Sequence, residues 1–83
     1  MQPHIRNYLQ SRGYDESDVI LCEVCGDVAV DIHHIVPRSK FGSKRKKEQD
    51  DPSNLIGVCR VCHDKAHSGE LTKEYLRLLV NLD

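Results

Sequence analysis

With 83 residues and a formal net charge of −1, the chain is sized for one small domain, too short to build a large core and therefore in need of a staple. No apolar run approaches the ~20 residues of a membrane span, and the longest candidate, Leu76 to Leu82, has Arg77 inside it. The near-neutral total conceals a lopsided distribution. Arg38, Lys40, Lys44, Arg45, Lys46 and Lys47 place six of the twelve basic residues within one short segment, so a local cationic patch stands against an otherwise acidic chain.

In chain order, Pro3 to Arg12 reads as a helix. Pro3 suits a first helical position, Ile5, Tyr8 and Leu9 recur at helical spacing, and Gly13 ends it. His4 is expected on its surface. Tyr14 to Asp18 is a polar turn, and Val19-Ile20-Leu21 leads into the first cysteine; this N-terminal unit is expected to pack over the rest. Gly26-Asp27 is a turn signal before a strand, Val28 to Ile32, that ends at a histidine pair. Pro37 to Ser53 is basic and polar and reads as an exposed loop. Asn54 precedes a second strand, Leu55 to Val58. His63 to His67 is helical with Ser68-Gly69 as terminator, and a last amphipathic helix opens at Thr72, carries apolar residues at Tyr75, Leu76, Leu79 and Val80, and is expected to dock on the body. No internal repeat is visible.

The cysteines carry the sharpest pattern. Cys22-x-x-Cys25 and Cys59-x-x-Cys62 are two knuckles spaced for tetrahedral Zn²⁺ on four thiolates. Disulfides are the rival reading. The opening Met1-Gln2-Pro3-His4-Ile5-Arg6 lacks the basic-then-apolar run of a secretory signal, so a reducing, cytoplasmic compartment fits better. Four ligands saturate such an ion, which makes this site structural rather than catalytic.

Four of the five histidines fall into two pairs. His63 and His67, four apart on a helix, project from one face and can point at one metal or one phosphate. His33 and His34, adjacent at a strand end, diverge, so one can face the helix and the other the substrate. Taken singly, each is as readily a structural or surface residue. Together they match what phosphodiester hydrolysis needs, a cation on the phosphate and a separate base for water. Asp31, two residues before His33, lies on that residue's side of the strand and can orient a histidine from behind. Arg38, forked and permanently charged, suits a phosphate grip. Lys40, Lys44, Arg45, Lys46 and Lys47 read as solvated charge or, beside such a site, as sequence-tolerant contacts to a nucleic-acid backbone.

The pattern Asp31-Ile32-His33-His34-Ile35-Val36-Pro37-Arg38, then Asn54-Leu55, then Cys59-x-x-Cys62-His63-x-x-x-His67 resembles the His-Asn-His (HNH) endonucleases of the ββα-metal (His-Me finger) fold, in the subgroup with a four-cysteine structural zinc. The likeness runs from Cys22 to His67. It implies His34 as the general base, His33 and His63 as principal ligands of a catalytic divalent cation, His67 as a third ligand used in some members, and Asn54 as the side chain that ties the loop between the strands and so fixes the base. It also implies products with 5′-phosphate and 3′-hydroxyl ends.

The expectation is thus an α+β domain over residues 1–83, with an N-terminal helical extension (1–21), a zinc-stapled ββα core (22–67) and a C-terminal helix (70–83). It acts as a metal-dependent DNA endonuclease in the cytoplasm of a bacterial or phage-infected cell, with Mg²⁺, Mn²⁺, Ni²⁺ or Zn²⁺ as the catalytic ion. Two other readings stand beside it: a non-catalytic zinc module that binds nucleic acid, and a nuclease subunit active only beside a partner such as a phage packaging or restriction complex.

Overall fold

A computed structural model describes residues 2–37 and 49–81; Arg38, Lys40, Lys44, Arg45, Lys46 and Lys47 lie outside them. Helix α1 spans Pro3–Arg12 and ends at Gly13, whose φ of 75° is a left-handed cap that suits glycine. A knuckle follows, closed at its base by a Leu21↔Val28 bridge. Inside it the Cys22 N–H donates to the Asp27 carbonyl and the Gly26 N–H to the Cys22 carbonyl. Strand β1 is Asp31–His34 and pairs antiparallel with β2, Leu55–Val58, with His33 opposite Ile56 and His34 opposite Leu55. Helix α2 runs over Arg60–Ser68, and α3 over Lys73–Val80.

Several boundaries differ from those expected, for local reasons. The first strand starts at Asp31 instead of Val28 because residues 28–29 pair back onto 20–21 to close the knuckle. Both histidines consequently lie within β1. Helix α2 begins three residues ahead of His63 because Cys59 caps it, its Sγ accepting from the Cys62 N–H at 3.5 Å. Of the apolar residues on the last helix, Leu76 is enclosed in the core while Tyr75 is 44% exposed. The expected Pro37–Ser53 loop is not exposed throughout: Gln49 is buried, and Pro52–Asn54 forms a 3₁₀ turn capped by Asp51, whose Oδ1 accepts from the Ser53 N–H at 2.9 Å.

The sheet is covered on both faces, so β2 is buried along its whole length. Alternation along a strand sends Leu55 and Ile32 towards α1, where Tyr8 and Leu9 meet them, and Ile56, Val58 and Ile35 towards the cysteines and Leu76 of α3. Leu55, Ile56 and Val58 are wholly enclosed, and burial of such side chains stabilises by about 1.5–3 kcal/mol each.

A polar clasp joins α1, the knuckle and β2. The Glu23 carboxylate accepts from the Tyr8 hydroxyl at 2.5 Å and from the Gly57 N–H at 3.3 Å, while the Glu23 N–H donates to the Gly57 carbonyl at 2.9 Å. Arg12 lies over the Tyr8 ring, 4.6 Å from its centroid, and donates to the Leu55 carbonyl at 3.0 Å. Burial and the adjoining Glu23 carboxylate push the Tyr8 phenol far above its usual range, so it remains a donor. The clasp requires glycine at position 57, where an added Cβ would sit 2.8 Å from the Tyr8 oxygen and 3.2 Å from its Cζ. Gly57→Ala is therefore expected to cost about 1–3 kcal/mol in urea denaturation. Combining it with Tyr8→Phe, which removes the clashing oxygen, should cost less than the sum of the two single changes.

Candidate metal centres and active site

The knuckles come together at one end of the sheet. Cys22, Cys25, Cys59 and Cys62 place their sulfurs within 4.8 Å of one another, with Cys25 Sγ and Cys59 Sγ 3.6 Å apart, and all four are free thiols. The Val30 N–H donates to the Val58 carbonyl at 2.9 Å, carrying the first knuckle alongside the strand that delivers the second. Burial raises the Cys22 thiol, but the N–H groups of Cys25, Cys59 and Val24 aim at its sulfur and outweigh that, holding it at about 6. Cys62 is pushed far upward by burial and by the neighbouring thiols. One thiolate therefore forms readily and further ones repel it. A soft divalent cation relieves that repulsion, and the four-sulfur donor set fits structural zinc.

The histidines divide between the two faces of the sheet. Asp31 and His33 project from β1 towards α2, where His63 and His67 stand one turn apart. The ligating atoms of His33, His63 and His67 all lie within 4.8 Å of each other, with His63 Nε2 and His67 Nε2 at 3.1 Å. The rings meet edge to face, His33 at 5.3 Å from His63 and 5.4 Å from His67. Asp31 sits behind them, one oxygen 3.6 Å from His63 Nδ1 and the other accepting from the Ile32 N–H at 2.8 Å. Burial, and then the proximity of His63, His67 and His34, lowers His33 to about 4. At neutral pH its ring is therefore uncharged, the form in which imidazole ligates a metal.

His34 faces the other way. Its Nε2 is 2.9 Å from Asp50 Oδ1, and its ring lies 4.6 Å from that of His4. His4 is thus not the surface residue that the sequence suggested. It is 8% exposed and packs on the same side of α1 as Tyr8, one turn on. That spacing was a readable signal, since His4 and Tyr8 are four residues apart. Asp50 had no such signal, being one more polar residue in a polar segment. A carboxylate can only accept, so the neutral His34 ring carries its hydrogen on Nε2 and leaves Nδ1 as the basic nitrogen. Both arrays open on one cavity of about 540 Å³, lined by His4, Asp31, His33, His34, His63 and His67 among others.

Asn54 closes the neck of the segment between the strands. Its Oδ1 accepts from the Val36 N–H at 2.9 Å, and its Nδ2 donates to the carbonyls of Val36 at 3.2 Å and Gln49 at 2.9 Å. The Asn54 carbonyl also accepts from the Ile35 N–H at 2.9 Å. These bonds hold the residues just after His34 against those just before and after Asp50. Arg38 and the basic run, expected to grip phosphate, lie outside the described residues.

Among curated proteins, the chain is 35% identical over 51 residues to a mitochondrial DNA mismatch repair protein mutS homolog of Sarcophyton glaucum, covering 61% of this chain and 5% of that protein. It is 38% identical over 52 residues to anaredoxin of Nostoc sp., covering 60% of each. The chain therefore spans a small fraction of the first relative and about three fifths of the second. No solved structure gives a significant match. The family model of the HNH endonucleases matches residues 22–69, which take in both knuckles, both strands and α2. With more than half of its residues matched and a ββα unit bearing a four-cysteine cluster, this chain belongs to the HNH endonuclease family.

Proposed function

We propose that the protein is a metal-dependent DNA endonuclease that hydrolyses phosphodiester bonds, with His34 as general base. The observation that carries this is the juxtaposition in one cavity of three converging imidazoles and a fourth, separately oriented one. Membership of the HNH endonucleases supports a nucleic-acid substrate. His33, His63 and His67 would hold a divalent cation, and three nitrogen donors favour Ni²⁺, Co²⁺ or Zn²⁺ by softness while Mg²⁺ and Mn²⁺ remain usable in this reaction class. When bound, such an ion supplies charge neutralisation at the phosphoryl and leaving oxygens. His34 takes the proton of the attacking water at Nδ1. Asp50 keeps the ring in that tautomer, and Asp31 orients His63. Asn54 keeps the base in place through its grip on Val36 and Gln49. Arg38 and the lysines and arginine of the following run supply phosphate contacts that position the duplex without reading bases. Cys22, Cys25, Cys59 and Cys62 hold a structural Zn²⁺ that takes no part in the chemistry.

The deciding experiment is a nicking assay on supercoiled plasmid with Mg²⁺, Mn²⁺, Ni²⁺ or chelator. His34→Ala is expected to lower the rate by about 10²–10⁴ with circular dichroism unchanged; equal rates would sink the assignment. Salt-sensitive binding without cleavage under any ion would favour a binding module, and cleavage only with an added partner would favour a subunit of a larger complex. Replacing Lys44, Arg45, Lys46 and Lys47 together by glutamine should flatten the log–log salt dependence of DNA binding by about 3 to 4. Stripping the zinc with a strong chelator should abolish the far-ultraviolet dichroism, with recovery on adding Zn²⁺ and none on adding Mg²⁺.

A further inference from the structure

We propose that His4, His34 and Asp50 form a third cation site, of the zinc class, and that an ion bound there captures the general base and shuts off cleavage. The three come from separate elements, α1, β1 and the segment leading into the 3₁₀ turn, yet their ligating atoms lie within 4.8 Å of one another. Two imidazoles and one carboxylate are a common three-ligand set for an open zinc site. Ligands 2.0–2.1 Å from a tetrahedral ion stand about 3.3 Å apart, and His34 Nε2 and Asp50 Oδ1 are already at 2.9 Å. The group is also sheltered. His4 is 8% exposed, and the side chains of His34 and Asp50 are 12% and 18% exposed. Asn7, one turn along α1 from His4, donates through Nδ2 to the Asp50 carbonyl at 3.0 Å, which fixes the acidic residue against the helix that carries the histidine. His4 lies outside the residues that match the family model, so this array is a property of the chain and not of the shared ββα unit.

The consequence for the base follows from proton placement. With Asp50 accepting from Nε2–H, the lone pair on Nδ1 is free to take a proton from water. Coordination through Nε2 needs the other neutral tautomer. The ring hydrogen then moves from Nε2 to Nδ1 by way of solvent, with no net proton gained or lost, and Nδ1 can no longer act as a base. Hard Mg²⁺, which prefers oxygen ligands and keeps its waters, leaves this array alone; a borderline ion such as Zn²⁺ or Co²⁺ enters it. The inhibitory half of the proposal rests on the nuclease reading, and the binding half does not.

Binding is tested on the 83-residue chain carrying zinc on its cysteines and the changes His63→Ala and His67→Ala, which remove the three-imidazole site. Titration with Co²⁺, followed by visible absorption, is expected to show one ion bound per chain. Adding either His4→Gln or Asp50→Asn should weaken that binding at least about tenfold, with zinc content and circular dichroism confirming that each variant folds. No cobalt band in the parent, or equal affinity in both added variants, would overturn the site. Inhibition is tested by nicking in excess Mg²⁺ with increasing Zn²⁺. His4→Gln in the otherwise wild-type chain, with each rate taken relative to the same variant's zinc-free rate, should raise the half-inhibitory zinc concentration at least about tenfold. An unchanged inhibitory concentration would overturn the switch. Absence of cleavage by the wild type under every ion would overturn the inhibitory half together with the nuclease reading, whereas the cobalt titration judges the site by itself.

Discussion

The pleat of β1 is the constraint on which the rest of the site depends. Successive residues of a strand face opposite sides, so two neighbouring histidines cannot serve one ion and instead enter different surroundings. His33 meets the two imidazoles of α2 and becomes a desolvated, uncharged ring. His34 meets a carboxylate and a buried histidine from α1. Two chemically identical side chains acquire different surroundings from position alone. A slip of one residue in the β1–β2 register would exchange them, and Asn54, which continues the ladder beyond His34 and clamps Val36, opposes such a slip.

Stapling explains why so small a chain can hold this arrangement. The strands are four residues each, and a hairpin of that size is marginal by itself. Four sulfurs gathered at one end of the sheet, and Glu23 tying α1 to β2 near the middle, supply what a small core lacks. The two devices converge on the first knuckle: it contributes two of the sulfurs and, between them, the carboxylate that receives Tyr8. Metal ligation and helix docking thereby constrain the same few residues, which favours their forming together.

The elements that could be read from the sequence were those with a local signature. Pro3 and Gly13 bracket α1, the cysteine spacing marks the knuckles, and the four-residue step from His63 to His67 places two rings on one helical face. Asp31 could likewise be assigned to the side of His33 from strand periodicity. Partners brought together only by tertiary packing were not legible. His4 and Asp50 are 46 residues apart and meet because α1 folds across the sheet, an event that no periodicity announces. The strand boundary moved for a related reason: Val28 and Val30 have the composition of a strand, but Val28 bonds to Leu21 to close the knuckle before the ladder with β2 begins.

Asn54 has a consequence for how the molecule can change. Because one amide side chain grips Val36 on one side and Gln49 on the other, the two ends of the intervening segment are pinned independently of what lies between them. Lengthening a chain between fixed ends adds little closure entropy. The strand pairing and the placement of the histidines therefore rest on bonds made outside the stretch between residues 36 and 49, and a change of length or charge within that stretch leaves those bonds in place.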